Sequence, residues 1–215
     1  MIQHKSFKHG WYYFYRVHNQ KVDRLTPPFP QLKVYLQGLF SSCPQEYFET
    51  EPRSSQLRFG LSNLHLIPIL HHEVSQLARI GLQVNASRFQ TNHSKVQLLL
   101  LEEDPYTLAI EVPLWLMPSE LDGYAQLFRT TTPLTGHIDL LRIEDGKIWV
   151  WDYKPNARYE KYAATQVYFY AYMLSQRTGI PLENFRCGYF DTSDAFAFNP
   201  VDCALPILAQ ETLIK

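Results

Sequence analysis

The chain has 215 residues, of which 46% are hydrophobic and 14% aromatic. This composition excludes a disordered chain, and the length is sufficient for one domain with a sizeable hydrophobic core. The net charge of −1 excludes a strong overall basic field, so any contact with nucleic acid would need a local basic patch.

The cysteines and the hydropathy pattern bear on the environment of the protein. Cys43, Cys187 and Cys203 show no close pairing, which predicts a reducing compartment and no disulfide framework. The sequence has no basic-then-apolar leader and no run of 18 apolar residues, so we expect a soluble, cytoplasmic protein without membrane contact. It has no GxxxxGK(S/T) motif, so we expect no nucleotide cofactor.

The N-terminal stretch has an aromatic cluster at 7–15, followed by the basic residues Arg16 and Lys21. Alternating aromatic and basic groups can form a stacking platform for nucleic-acid bases. Such a run is more often an ordinary strand packed on the core, and we favour the strand. The Pro-rich segment 26–30 predicts a break, which a helix from Gln31 to Phe40 follows.

The stretch from Gly60 to Gly81 predicts a helix that ends at Gly81, with Pro68 as a kink or as the first turn of its main part. His65 and His72 lie seven residues apart, about two helical turns, and so share one face of this helix. One of them could complete a metal shell through a neutral imidazole. The alternative is a surface or capped histidine.

From Lys95 the sequence changes to a β pattern, with one strand at 96–102, a turn at 103–105 and a second strand at 106–117. In the second strand apolar residues alternate with Glu111, which therefore lies on the other face. Glu111 is either a solvent-facing strand residue or a further acidic group of a functional site.

Residues 135–170 predict two strands, a tight turn and a helix. Asp145-Gly146 lies between two apolar runs, and this pair is typical of a two-residue hairpin turn. Such a turn fixes the register of the hairpin and places Asp139 opposite Asp152.

Two directly opposed carboxylates have Cβ atoms roughly 4.5 to 5.5 Å apart and repel each other, so a cation must compensate them. The alternation of side chains along a strand places Lys154 on the same face as Asp152, at the end of an otherwise apolar surface. Carboxylate oxygens suit hard cations such as magnesium or manganese. A metal held there can polarise a phosphoryl oxygen, and the neighbouring ammonium can neutralise developing charge.

Three ordered motifs carry a resemblance to a known family. They are Gly136-x-x-Asp139, Asp152-Tyr153-Lys154 and Gln166-x-x-x-Tyr170. The pattern resembles the PD-(D/E)XK nuclease superfamily, and within it the RecB-like branch, whose motifs read GxxD, (D/E)xK and QxxxY in that order. The match is dense over residues 111–170 and sparse elsewhere.

The resemblance implies a metal-dependent nuclease with assigned ligands and catalytic groups. The branch has a metal-binding histidine on a helix after a glycine, and the superfamily often has an acid on the strand before the first motif. The implied metal ligands, for one or two magnesium or manganese ions, are Asp139, Asp152, the Tyr153 carbonyl, Glu111, and His65 or His72. The implied catalytic groups are Lys154, Gln166 and Tyr170.

Cys43 opens a segment that resembles the CPxxF-like segment of RecB-like nucleases. In the iron–sulfur members this cysteine is the first of four cluster ligands. Cys187 and Cys203 do not have the spacing of the family's C-terminal ligand trio. Because a cluster needs four ligands, we predict no iron–sulfur cluster.

Residues 157–176 predict an amphipathic helix, with Gly179 in the stop signal that follows. Arg158 and Lys161 in its first turn would lie near a bound phosphate backbone, or they are solvated helix charges. Strands from Phe185 and at 195–198 would complete the sheet.

The predicted fold class is α/β (α+β), a restriction-endonuclease-like mixed β-sheet core flanked by helices. We expect a single domain of residues 1–215 with residues 1–60 as an N-terminal elaboration. The predicted function is metal-dependent hydrolysis of DNA phosphodiester bonds at single strands or duplex ends, by an exonuclease in preference to an endonuclease. The alternative is a catalytically inactive module of the same fold that binds nucleic acid or protein. A partner protein would supply any helicase or targeting function.

Overall fold

The computed structural model describes residues 1–50 and 52–206. The predicted domain of residues 1–215 therefore includes positions 51 and 207–215, which lie outside the described residues. Within the described part, no helix has the length and apolarity needed to cross a membrane.

In the part of the chain that the structure describes, eight strands form one mixed sheet in the order β1-β2-β4-β5-β6-β7-β8-β3. Neighbouring strands are antiparallel except for β6 and β7, which are parallel. The strands are β1 (Ile2–His9), β2 (Trp11–His18), β3 (Ile67–Pro68), β4 (Thr107–Leu116), β5 (Leu134–Glu144), β6 (Lys147–Tyr153), β7 (Phe185–Phe190) and β8 (Ala195–Phe198).

Helices cover both faces of the sheet. They are α1 (Asn19–Leu25), α2 (Pro30–Ser42), α3 (Glu73–Val84), α4 (Asn92–Glu103), α5 (Tyr124–Phe128) and α6 (Ala163–Thr178). The larger hydrophobic cluster contains side chains of α2 and α6, and the smaller one contains side chains of α3 and α4. This architecture confirms the predicted restriction-endonuclease-like mixed sheet flanked by helices.

The hairpin of β5 and β6 has the predicted turn and register. Asp145 and Gly146 have φ values of 49° and 68°, as a tight hairpin turn requires. Glu144 pairs with Lys147, and the pairing continues to Leu140 with Trp151. The alternation along β6 is also as predicted, because Ile148 and Val150 belong to the larger core cluster while Trp151 and Tyr153 belong to the smaller one.

The predicted helix from Gly60 to Gly81 is wrong over its first half. Helix α3 begins at Glu73, with His72 as its N-cap. Pro68 is part of the short strand β3, and His71 has a φ of 56°. Proline lacks the N–H that a helix interior uses, and a positive φ interrupts helical geometry, so the helix starts only after both.

The predicted strand at 96–102 is also wrong, because this segment lies inside α4. Its apolar run is buried on a helix that packs on the sheet and on α3. A short apolar run cannot be assigned to strand or buried helix from periodicity alone. Thr91 caps the helix by accepting a hydrogen bond from the Ser94 N–H.

A buried ion pair fixes α4 against the sheet. Arg142 on β5 and Asp104, which directly follows α4, are both fully buried, with 2.9 Å between Nε and Oδ2. Breaking a buried ion pair by removing one partner costs about 3–5 kcal/mol, so the pair holds the C-terminal end of α4 in place.

We predict that Gly188→Ala destabilises the fold. A Cβ at Gly188 on β7 would overlap the indole of Trp151, a fully buried ring with little room to move. Overpacking of this kind costs about 1–3 kcal/mol in the free energy of unfolding, measurable by urea denaturation. Gly60→Ala is the matched control, since a Cβ there meets no atom within 4 Å. Equal stability of the two variants would contradict the packing of this strand pair.

Candidate active site

A cavity of about 680 Å³ opens where β4, β5 and β6 meet α4 and α6. It brings together six of the residues predicted from the sequence as functional. They are Glu111, Asp139, Asp152, Lys154, Gln166 and Tyr170.

Three adjacent strands place three carboxylates side by side. Ile110 pairs with Leu140 and Val112 with Ile138, so Glu111 lies at the level of Asp139 on the neighbouring strand. The hairpin register continues this row to Asp152, one position beyond Trp151. Glu111 has a φ of 51°, a left-handed conformation that is unfavourable for a glutamate and is often found at functional positions.

Asp139 is oriented by the backbone of the neighbouring strand. Its Oδ2 accepts a hydrogen bond of 2.9 Å from the backbone N–H of Tyr153, and only 8% of the residue is exposed. The Nε2 of His93 lies 3.8 Å from the same oxygen. The carboxylate is therefore held at the cavity wall with a histidine beside it.

Asp152 is held between strand and helix. Its Oδ2 lies 2.8 Å from the Lys154 Nζ, and its Oδ1 accepts a 3.1 Å hydrogen bond from the Gln166 Nε2. The same amide nitrogen donates to the Tyr170 hydroxyl at 2.7 Å. The three motifs thus form one connected polar network, in which Gln166 and Tyr170 on α6 fix the carboxylate of β6.

Gly136 provides the space that this network needs. A Cβ at this position would overlap the Tyr170 ring and come within 3.1 Å of the Ser54 Oγ. The close approach of α6 to β5 therefore requires glycine here, which gives the first residue of the GxxD pattern a physical reason.

The carboxylates perturb one another. Burial, and secondarily the charge of Asp139, raise the pKa of Glu111 to about 8. Burial raises the pKa of Asp152 to about 6, although the Lys154 ammonium opposes this shift. Burial alone would lower the pKa of Lys154, but the charges of Asp152 and Asp139 outweigh it, so its pKa is raised and the amine is charged at neutral pH.

Comparison with known proteins agrees with this geometry. Residues 46–203, well over half of the chain, match the family model described as the PD-(D/E)XK nuclease superfamily. The chain belongs to this superfamily. A search of curated proteins found no match. PD-(D/E)XK proteins are generally nucleases and typically use divalent metal ions.

The donor set of the cavity fits a divalent metal of the kind that PD-(D/E)XK nucleases use. Glu111, Asp139 and Asp152 offer carboxylate oxygens, the ligands that hard cations prefer. Within residues 1–50 and 52–206, no group of three or more His, Cys, Asp or Glu side chains is arranged so that it could hold one metal ion. Magnesium is commonly bound by one or two carboxylates together with waters and substrate phosphates, and this arrangement suits such a site.

The two histidines chosen from the sequence do not line the cavity. His65 is exposed, and its Nδ1 lies 3.0 Å from the Asn63 carbonyl oxygen. The Nδ1 of His72 accepts a hydrogen bond from the Val74 N–H, and its ring lies 5.0 Å from that of Trp151. His72 is therefore the N-cap of α3.

Among the described residues, His93 and His137 line the cavity, and His93, in the first turn of α4, is the one that lies beside Asp139. Gln97, one turn later, donates a 2.7 Å hydrogen bond to the Glu111 Oε1. Sequence reasoning missed His93 and Gln97 because it assigned the adjoining segment to a strand. The signal that was present is Thr91, a preferred N-cap residue that directly precedes the first residue of α4.

Arg158 and Lys161 lie near α6 but do not line the cavity. Both precede the first residue of α6 and are exposed. Arg158 forms an ion pair of 2.8 Å with Asp194, and the Lys161 Nζ lies 5.4 Å above the ring of Tyr162. The Tyr153 side chain is buried on the α4 side of the sheet, so only its backbone adjoins the acidic row.

We predict that Glu111→Gln increases stability at alkaline pH in metal-free buffer. The unfolded chain releases the Glu111 proton near pH 4.5, whereas the folded chain retains it to about pH 8. Folding therefore binds a proton in this window, and the free energy of unfolding decreases as pH rises from 4.5 to 8. The glutamine variant lacks this loss and should be more stable above pH 8 by an amount on the order of 2 kcal/mol.

Urea denaturation at several pH values measures this difference. Glu183→Gln, at an exposed position outside the cavity, is the matched control and should follow the wild type at every pH. If Glu111→Gln and the wild type show the same pH dependence, the Glu111 carboxyl is not buried beside Asp139 as the structure indicates.

Proposed function

We propose that the chain is a RecB-like deoxyribonuclease that hydrolyses phosphodiester bonds with magnesium or manganese. The observation that carries the proposal is the row of Glu111, Asp139 and Asp152 in one cavity with the ammonium of Lys154. The GxxD, (D/E)xK and QxxxY motifs, in that order, support the RecB-like assignment.

Glu111, Asp139 and Asp152 would hold one or two divalent cations. A cation bound there would polarise the phosphoryl oxygen, position the scissile phosphate and make a water molecule more acidic. Lys154 is charged, lies 2.8 Å from Asp152, and would donate hydrogen bonds to the negative charge that develops on the phosphate. Together these groups would neutralise the charge on the phosphate and orient the attacking water, as phosphodiester hydrolysis requires.

The chain's own residues would also hold the acidic row in a fixed geometry. Without a cation, burial raises the pKa of Glu111 to about 8, and a bound cation would favour the ionised carboxylate that serves as its ligand. The hydrogen bond of Glu111 with Gln97 fixes the carboxyl group in the cavity. Gln166 and Tyr170 would act on Asp152 as positioning residues. Gln166 donates a hydrogen bond to one of its oxygens and another to the Tyr170 hydroxyl, while Lys154 contacts the other oxygen.

The size of the cavity and the extent of the family match bear on the mode of cutting and on the domain organisation. The cavity, about 680 Å³, has the size of a small-molecule pocket and suits a strand end better than the middle of a duplex, which favours exonuclease action. The family match over residues 46–203 supports a single domain, and residues 1–45, most of the proposed elaboration of residues 1–60, precede it. A partner protein would supply helicase or targeting function, and the cytoplasm is the proposed location.

We predict that Asp152→Asn and Lys154→Met each reduce metal-dependent cutting by at least about 100-fold, because each removes charge stabilisation at the reacting phosphate. End-labelled single- and double-stranded DNA, with and without manganese, measures the activity. Lys147→Met is the matched control, since Lys147 begins the same strand but lies outside the cavity. Circular dichroism verifies that all three variants fold.

Two results would contradict the proposal in different ways. If Asp152→Asn and Lys154→Met both still cut DNA, the proposed mechanism is wrong. A wild-type protein that binds DNA but cuts it with neither magnesium nor manganese would favour the alternative, a catalytically inactive binding module. Titration calorimetry of manganese into the wild type and Asp139→Asn tests the metal separately, with loss of binding expected in the variant.

A further inference from the structure

The hairpin of β1 and β2 has one face in the core and one face outside it. On the inner face, Phe7, Tyr15 and Val17 are fully buried in the larger hydrophobic cluster. The outer face is formed by alternate residues that pair across the two strands: His4 with Arg16, Ser6 with Phe14, and Lys8 with Tyr12. We call this set, together with Trp11 at the turn, the outer ribbon.

The aromatic side chains of the outer ribbon are unusually exposed. Trp11 is 76% exposed, Tyr12 59% and Phe14 49%. Single exposed apolar residues are common, but adjacent large ones usually mark a binding surface. One face of the hairpin therefore packs on the core, as the strand prediction requires, and the other face leaves three large aromatic rings exposed.

The outer ribbon is continuous with the candidate active site. Trp11, Tyr12 and Phe14 line the same cavity as the acidic row. Strand β2 pairs directly with β4, and Arg16 lies opposite Ile110, the residue before Glu111. A ligand bound along the ribbon would therefore enter the cavity at its carboxylates.

The charge of this region is opposite to that of the acidic row. Residues 1–18 contain no Asp or Glu, in a chain whose net charge is −1. Lys8 and Arg16 belong to the outer ribbon, and Arg53 adds a guanidinium to the cavity wall. Arg53 donates hydrogen bonds to the His9 carbonyl and the Tyr13 hydroxyl, which are neutral acceptors that leave its positive charge in place.

We propose that the outer ribbon is a stacking track for single-stranded DNA that leads a strand into the cavity. This rests on the proposed function and adds the substrate class to it. Exposed rings offer surfaces on which unpaired bases stack, while Lys8, Arg16 and Arg53 attract the phosphates. A duplex keeps its bases stacked on one another and cannot use the rings in this way.

DNA binding measured in the presence of a metal chelator tests the stacking track, because the protein cannot then cut the DNA by a metal-dependent reaction. Fluorescence anisotropy would measure the affinity of the 215-residue chain for a labelled oligothymidine of about 12 nucleotides and for a labelled DNA hairpin with a stem of about 12 base pairs. Trp11→Ala and Phe14→Ala should each lower affinity for the single strand by about 5- to 100-fold and affinity for the duplex by less than about 2-fold. Phe14→Leu, which keeps apolar surface but removes the ring, should lose nearly as much as Phe14→Ala.

Tyr159→Ala is the matched control, because this aromatic residue is 84% exposed and does not line the cavity. Unchanged single-strand affinity in the Trp11 and Phe14 variants would overturn the track, as would an equal loss for single strand and duplex. A change of oligomeric state with unchanged DNA affinity would make the ribbon a protein interface and overturn it as well. Tighter binding of oligouridine than of oligothymidine would overturn the assignment to DNA.

Manganese-dependent cutting, measured in parallel, separates this inference from the proposed function. If the wild type cuts DNA and the ribbon variants bind single strands as tightly as the wild type, the stacking track is wrong and the proposed nuclease function stands. Ring-dependent binding without wild-type cutting would support the track and overturn the nuclease.

Discussion

The repulsion between carboxylates on adjacent strands is the constraint on which the rest of the site depends. Asp152 is 1% exposed and lies in the row that contains Asp139 and Glu111. Burying such charges together costs several kcal/mol unless cations and hydrogen bonds compensate them. Lys154 compensates Asp152 directly, whereas burial and then the charge of Asp139 raise the pKa of Glu111.

The neighbouring elements hold this unfavourable arrangement in place. The tight turn at Asp145-Gly146 fixes the register that aligns the acids. Helix α6 approaches closely enough for Gln166 to bond Asp152, and this approach is possible because Gly136 has no side chain. The rigid framework therefore maintains a geometry that the charges alone would disfavour, which is common at functional sites.

The sequence was sufficient to predict the hairpin, its register and the faces of β6, because turn chemistry and period-two alternation are local properties. It was insufficient for α4, since an apolar run buried on a helix looks like a buried strand. That single error concealed His93 and Gln97, which contact the acidic row through tertiary packing. The placement of His72 was wrong for a different reason. Helical spacing was assumed between His65 and His72, but Pro68 and the positive φ of His71 keep that segment out of a helix.

The two edges of the sheet differ in how they resist further strands. At one edge, β3 has only two residues, and Pro68 lacks the N–H that an incoming strand would need. At the other edge, β1 is eight residues long and carries Lys5 and Lys8, whose charges oppose edge-to-edge association with another chain. The molecule can therefore present aromatic rings near an open β edge while limiting its tendency to aggregate through that edge.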